Sequence, residues 1–244
     1  MRAANSGDPE SGGVLYLVAT PIGNLEDITF RAIRILKEVD LIIAEDTRRT
    51  RLLLQHYGIQ ANFGPSLYEG ADERRVDEFI EQLHGGAKIA LVSDAGTPLI
   101  QDPGYPLVRS AVDAGIQVIA IPGPTALITA LVASGLPTDH FIFDGVPSKK
   151  DGRRRVYFQS LMQEARTVVL YESPHRILKT LETVAQLLPD RPLVLCRELT
   201  KIHEEVLRGP AAMILHELQS RPSIKGEMVL IIAGKPRKNP DRED

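Results

Sequence analysis

The sequence predicts an α/β protein, with a mostly parallel sheet in its first half and a mixed sheet in its second. Three observations carry that reading. Short apolar runs alternate with segments whose apolar residues recur at helical spacing. In the first half each run leads through a tight turn into a helix, the pattern of parallel strands joined by crossovers. In the second half two strand-like runs follow one another with no helix between them, which requires antiparallel pairing.

Val14 to Ala19 reads as the first strand and enters the loop Thr20-Pro21-Ile22-Gly23-Asn24. Asp27 or Thr29 can cap the next helix, whose Phe30, Ile33, Leu36 and Val39 share a face. Leu41 to Ala44 is a short strand ending in Glu45-Asp46. Val76, Phe79, Ile80 and Leu83 form an amphipathic helix stopped by Gly85-Gly86. Lys88 to Val92 is a strand, followed by Ser93-Asp94-Ala95-Gly96-Thr97-Pro98. Pro106 suits a first helical turn, Leu107, Val108, Ala111 and Val112 make the buried face, and Gly115 ends the helix. Ile116 to Ile121 is the next strand, Pro122-Gly123-Pro124 turns the chain, and Thr125 starts a helix reaching Ser134.

Gly135 to Asp139 reads as the boundary, giving domains at 14–137 and 138–236. Beyond it, strands are expected at Phe141–Asp144, Thr167–Tyr171, Leu193–Arg197, His203–Arg208 and Met228–Ala233. Helices are expected at Arg153–Glu164, Pro174–Leu188 and Ala211–Ser220. Residues 1–13 and 237–244 read as a mobile polar tail and a loose charged one.

A net charge of −3 argues against a protein that coats nucleic acid with its whole surface, so an RNA partner must be met by a local basic patch. The lone cysteine, Cys196, ends an apolar run and reads as a core residue. One cysteine rules out an internal disulfide and suits a reducing, cytoplasmic setting. The first residues lack the apolar stretch of a signal peptide, and no run is long enough to span a bilayer.

The strand ends concentrate the unusual residues: Pro21–Asn24, Glu45–Arg48, Ser93–Pro98 and Pro122–Thr125. In open α/β sheets ligands sit beyond the carboxyl ends of the strands, and glycine-shaped turns let backbone approach them closely. A single such turn is best read as a tight connection; four converging ones are best read as a site. The phosphate loop G-x-x-x-x-G-K-[ST] and the G-x-G-x-x-G fingerprint are both missing. His203-Glu204-Glu205 lacks the second histidine of a zinc motif, and the six histidines show no ligand spacing, so no metal is expected.

The run Leu17 to Thr29 resembles the opening loop of tetrapyrrole-methylase-fold enzymes. Glu45–Arg48, Ser93–Pro98, Pro122–Ala126, Tyr171–Arg176, Arg197–Lys201 and Lys225–Glu227 resemble the ribosomal RNA small subunit methyltransferase I branch of that superfamily. The resemblance spans about residues 14 to 236. It implies the two-domain tetrapyrrole-methylase-like fold and a homodimer. It also implies 2′-O-methylation of a cytidine in the decoding region of small-subunit ribosomal RNA, with S-adenosylmethionine as donor. The RNA partner is expected within the assembled subunit, with free RNA left open as the alternative substrate.

Carried over by position, the resemblance implies donor binding by Pro21, Asp94, Ala95, Gly96, Thr97, Ile100, Thr125 and Ala126, in a cleft closed by Tyr171, Gly226 and Glu227. A sulfonium needs an electron-rich lining of carbonyls and carboxylate, because an unpaired buried charge is costly. A ribose hydroxyl is a weak nucleophile and needs a base or an oriented dipole. Glu45, Asp94, His175 and Lys201 are the candidates, Lys201 on the expectation that desolvation lowers its pKa; Asp46 reads equally as a helix cap. Arg48, Arg49 and Arg51 form one basic group. Lys149, Lys150, Arg153, Arg154 and Arg155 form a second, with five cations between Ser148 and Arg155. Either alone reads as a solvated face; together they suggest a phosphate track. Two alternatives stand beside this reading. One is a same-fold methylase acting on a porphyrin-like ring or a protein side chain. The other is a non-catalytic RNA-binding protein of the ribosome.

Overall fold

The computed structural model describes residues 12–66 and 73–236, so most of both expected tails lies outside the described residues. Of the first tail only Gly12 and Gly13 are described. Gly13 is buried, and its amide donates to the Leu83 carbonyl. The chain divides into two compact units, Met1–Thr125 and Ala126–Asp244.

The first unit holds the strands β1 (Val14–Val18), β2 (Leu41–Ala44), β3 (Lys88–Val92) and β4 (Gln117–Ile121). They form a wholly parallel sheet in the order β2-β3-β1-β4. The helices are α1 (Phe30–Glu38), α2 (Thr47–His56), α3 (Glu73–His84) and α4 (Tyr105–Asp113). Strand periodicity of two distributes the apolar side chains to opposite faces. Ile42, Ala44, Ala90 and Val92 join Ala32, Ile35 and Leu36 of α1 and Leu53 and Leu54 of α2 in one cluster. Their neighbours Ile43, Ile89 and Leu91 join Val76, Phe79 and Leu83 of α3 and Leu107 and Ala111 of α4 in another. A sheet covered on both faces explains why its strands read as unbroken apolar runs.

The second unit begins with α5 (Ala126–Ser134) and β5 (Phe141–Phe143), followed by α6 (Asp151–Ser160) and β6 (Thr167–Glu172). Then come α7 (Ile177–Leu187), β7 (Leu193–Arg197), β8 (Glu205–Gly209), α8 (Ala211–Gln219) and β9 (Met228–Ile232). The order is β5-β6-β9-β7-β8, with only β5 and β6 parallel. Phe158, Ile177, Leu181, Val184, Ile214 and Leu218 pack with Leu170, Leu195 and Leu230 in its core. Arg191 is buried among these elements, and its guanidinium donates to four carbonyls: Ala233 (2.7 Å), Met162 (3.0 Å), Leu161 and Glu164 (both 3.3 Å).

Several details depart from the sequence reading. Phe30 is 93% exposed instead of buried. It is the first residue of α1, capped by Thr29, and a first-turn side chain leans back past the helix end, away from the core. Val112 is likewise exposed, while Leu107 and Ala111 carry the buried face of α4. Pro174-His175 stay in a turn, so α7 starts at Ile177; the strand expected from His203 starts at Glu205. Finally, α5 packs on β6, β7 and β9, which places it in the second unit, whereas a boundary at residue 137 places it in the first.

Candidate functional site

All four strands of the first sheet end together: Val18 pairs with Val92 and Ile121, and Ala44 with Val92. The four turns that follow therefore emerge at one edge, and hydrogen bonds knit them together. Thr20 and Gly96 exchange amide-to-carbonyl bonds of 2.9 Å, and the Thr20 hydroxyl donates to the Ser93 carbonyl at 3.1 Å. Thr97 Oγ1 donates to the Pro124 carbonyl at 3.2 Å. The Asp46 amide donates to Asp94 Oδ1 at 3.0 Å. Gly96 sits at φ 84°, and a Cβ there would crowd Ile22 at 3.3 Å. A cavity of about 180 Å³ opens among these turns, lined by Thr20, Pro21, Leu25, Arg49, Ser93 and Asp94 with part of α2.

Carboxylates gather at this edge. Burial, then the neighbouring Asp94, pushes the Glu45 carboxyl above its ordinary value, with Arg49 opposing. Asp46 is the N-cap of α2, accepting from the Arg48 amide at 2.9 Å. Its hydrogen bonds from Arg48 hold its pKa down at about 2. Asp94 faces the Arg49 guanidinium at 3.6 Å. Asp102, which the sequence reading missed, is raised to about 6 by burial, then by Glu45, against a hydrogen bond from Ser93. It precedes α4 in a stretch that reads as an ordinary proline-glycine turn, so nothing local marks it.

In the second sheet, Glu172, Met228, Arg197 and Glu205 stand in one row, so the loops around them share one end. Tyr171 Oη accepts from the Leu127 amide at 3.2 Å, joining Tyr171 to the first turn of α5 beside Ala126. Glu172, buried and missed as a site residue, accepts from Thr180 Oγ1 (2.6 Å), the Ser173 amide (2.8 Å) and the Arg176 guanidinium (2.8 Å). That network fixes the turn bearing His175, which is exposed. Lys201 Nζ bridges Glu198 (2.8 Å) and Glu227 (2.9 Å). Gly226 turns at φ 96°, and a Cβ there would overlap the Glu198 side chain. Burial pulls the Lys201 pKa down, but its two carboxylate partners outweigh that and raise it overall. This corrects the expectation of a lysine deprotonated by desolvation.

The predicted donor residues thus fall into two sets. Pro21, Asp94, Ala95, Gly96, Thr97, Ile100 and Thr125 lie in or just after the knitted turns of the first unit, with Ala95 and Ile100 exposed. Ala126, Tyr171, Gly226 and Glu227 belong to the second.

Of the basic residues, Arg48 and Arg49 face Asp46 and Asp94, and Arg51 lies over the Phe63 ring at 5.1 Å. Lys149, Lys150, Arg153 and Arg155 are exposed, Arg155 reaching Gln186 at 2.7 Å. Arg154 is buried, bonded to Thr183 and paired with Asp151, which corrects its placement on a phosphate-facing surface. Among the described residues there is no cluster that could hold a metal ion and no helix long and apolar enough to cross a membrane.

Residues 14–214 match the family described as Tetrapyrrole (Corrin/Porphyrin) Methylases. The chain is 48% identical over 237 residues to Ribosomal RNA small subunit methyltransferase I of Escherichia coli, covering 96% of this chain and 82% of that one. It is 51% identical over 224 residues to the protein of the same name from Synechocystis, covering 91% and 79%. Solved structures share the fold: uroporphyrin-III-C-methyltransferase from Thermus thermophilus (TM-score 0.61, 21% identity, 91% of this chain and 94% of that one) and diphthine synthase (0.65, 15%, 90% of each). A parallel sheet with four knitted turns at its carboxyl edge, a mixed second sheet and nearly half of all residues shared with these relatives place the chain in the ribosomal RNA small subunit methyltransferase I family of the tetrapyrrole methylases.

Proposed function

We propose that this protein transfers the methyl group of S-adenosylmethionine to the 2′ oxygen of a cytidine ribose in small-subunit ribosomal RNA. The observation that carries this is the identity of about half of all residues, over more than nine tenths of the chain, with relatives named for that ribosomal RNA. The resemblance supplies the cytidine, the 2′ position, a homodimer and a cytoplasmic setting, all part of the same proposal.

The first-unit cavity suits part of the donor. Its Asp94 carboxylate and turn carbonyls meet a sulfonium's need for negative charge, and Arg49 can meet the donor's own carboxylate. At about 180 Å³ it is smaller than the ~300–1,000 Å³ of complete ligand pockets, so it takes part of the molecule. S-adenosylmethionine, when bound, supplies an electrophilic methyl group. The chain's task is then to hold the ribose hydroxyl in line and accept its proton.

Glu45 is proposed as the proton acceptor because it follows β2 at the edge where the donor turns emerge, exposed to an incoming hydroxyl, and its raised pKa makes it a stronger base than an ordinary carboxylate. Asp94 is committed to the Asp46 amide and Arg49, and Lys201 stays protonated between two carboxylates, where it orients and neutralises. Glu45→Gln is expected to lower single-turnover methylation by roughly 10²–10⁴-fold, the usual worth of a general base, with donor affinity little changed. Near-parental turnover would leave positioning alone as the source of catalysis.

The exposed cations of α6 and the loop before it are proposed to hold RNA phosphates. Arg153→Glu combined with Arg155→Glu, leaving buried Arg154 intact, should weaken subunit binding and flatten its salt dependence by about one to two counterions. Parental binding across a range of salt would remove this run from the interface. The functional proposal itself is tested by incubating the protein with radiolabelled donor and either free small-subunit RNA or assembled subunits. Label in RNA only when the protein is present supports it; no label in either substrate refutes it.

A further inference from the structure

We propose that the hollow at the far end of α2 is a second RNA subsite, holding an unpaired nucleobase next to the nucleotide being methylated. The proposal rests on the RNA reading above and adds to it a binding pocket built from residues outside the donor turns.

The hollow measures about 660 Å³ and is lined by Arg51, Leu54, Gln55, Asn62, Phe63 and the connecting residues 58–61. That volume lies within the ~300–1,000 Å³ range of pockets that hold small aromatic ligands. Its floor is apolar and fixed: Leu54 and Ile59 are buried in the first-unit core. Its far wall is equally fixed, because the Ile42 amide donates to the Asn62 carbonyl (2.8 Å) and the Gly64 amide to the Ile42 carbonyl (2.9 Å). Phe63 is thereby held against β2, and the Arg51 guanidinium lies over its ring at 5.1 Å. A guanidinium stacked on an aromatic ring is a flat cationic platform of the kind on which unpaired bases stack. Around that platform Gln55 and Gln60 are exposed, and their amides carry both donors and acceptors for a base edge.

The position supports the same occupant. Arg48, Arg51 and Gln55 are spaced three and four residues apart and are all exposed, so they form one stripe along α2. The stripe begins at the Asp46 cap, beside the candidate donor turns, and ends in the hollow about 10 Å further along the helix axis. A single strand whose ribose is presented at the turns can follow this stripe with its phosphates and place a neighbouring base in the hollow. Such a base would add affinity through stacking, which an all-phosphate track lacks.

The test uses the full-length protein and a fluorescent single-stranded oligoribonucleotide spanning the modified site. Phe63→Leu, and separately Gln55→Ala with Gln60→Ala, are expected to weaken its binding roughly ten-fold or more. Donor affinity by calorimetry and the melting temperature should stay near the parental values. Replacing one base of the oligonucleotide by an abasic unit should cost the parent the same factor, and should cost the Phe63→Leu protein little. The double glutamine variant alters only exposed side chains, so it keeps the test decisive if Phe63→Leu folds poorly. Parental affinity in the folded variants, with the parent still binding and methylating RNA, overturns the subsite and leaves the functional reading intact. If the parent binds and methylates no RNA, the functional reading fails and the subsite falls with it.

Discussion

Asp94→Ala is expected to weaken donor binding by at least about ten-fold while the protein remains folded. The Asp94 carboxylate accepts from the Asp46 amide at 3.0 Å and faces Arg49 at 3.6 Å, and it lines the cavity among the strand-end turns. A hydrogen bond to a charged group contributes about 1.5–3 kcal/mol, and 1.4 kcal/mol is a factor of ten in affinity. Asp94→Asn separates two sources of that loss. The amide oxygen can still accept from Asp46, so recovery would assign the effect to loop geometry. Failure to recover would assign it to the negative charge needed opposite a sulfonium. Calorimetric titration beside a melting curve reads both variants, and parental affinity in a folded Asp94→Ala protein would remove this residue from the donor site. Gly96→Val in the same loop separates them less cleanly. At φ 84° a β-branched side chain is strained whatever binds nearby, so folding and donor binding would suffer together.

Arg191→Met should lower stability by about 2–4 kcal/mol, the expected cost of taking a charged donor from buried carbonyl oxygens. The guanidinium serves four carbonyls, and methionine of similar length fills the space while taking that donor away; the Leu161 and Glu164 oxygens keep the Glu164 and Lys235 amides, but the Ala233 and Met162 oxygens lose their bond to Arg191. At roughly 2–4 °C per kcal/mol for a chain of this size, melting should fall by about 10 °C. The urea midpoint should drop with an unchanged slope. A loss below about 1 kcal/mol would mean that the carbonyls find other donors and that Arg191 does not organise this part of the second unit.

The strands were legible because burial on both faces leaves a continuous apolar signature, as in Leu41–Ala44 and Lys88–Val92. The turns were legible for the same topological reason: parallel strands that end in register must deliver their loops to one edge. What escaped depended on distant partners. Lys201 looked like a residue to be desolvated, but two carboxylates keep it charged, Glu198 three positions before it and Glu227 26 positions away. Asp102 acquires its raised pKa from burial and from Glu45 and Asp94, which the β2 and β3 ends bring beside it, against a hydrogen bond from Ser93. Arg154 was misread although the signal was present. It stands four residues before buried Phe158, so helical spacing puts it on the inner face of α6, while its neighbours Arg153 and Arg155 point outward. Phe30 failed in the opposite sense: periodicity identified the helix face, but the first turn of α1 projects beyond the core that the face covers.

The chemistry at the centre of this account, methylation of a ribose oxygen, has a direct measurement. Alkali cleaves RNA through attack of the 2′ hydroxyl on the adjacent phosphate, and a methyl group on that oxygen blocks cleavage at its nucleotide. Small subunits labelled by this protein from methyl-tritiated donor, extracted and digested in alkali, should carry their label in one alkali-stable dinucleotide that contains cytidine. Label released as a mononucleotide would place the methyl group on a base and contradict the account.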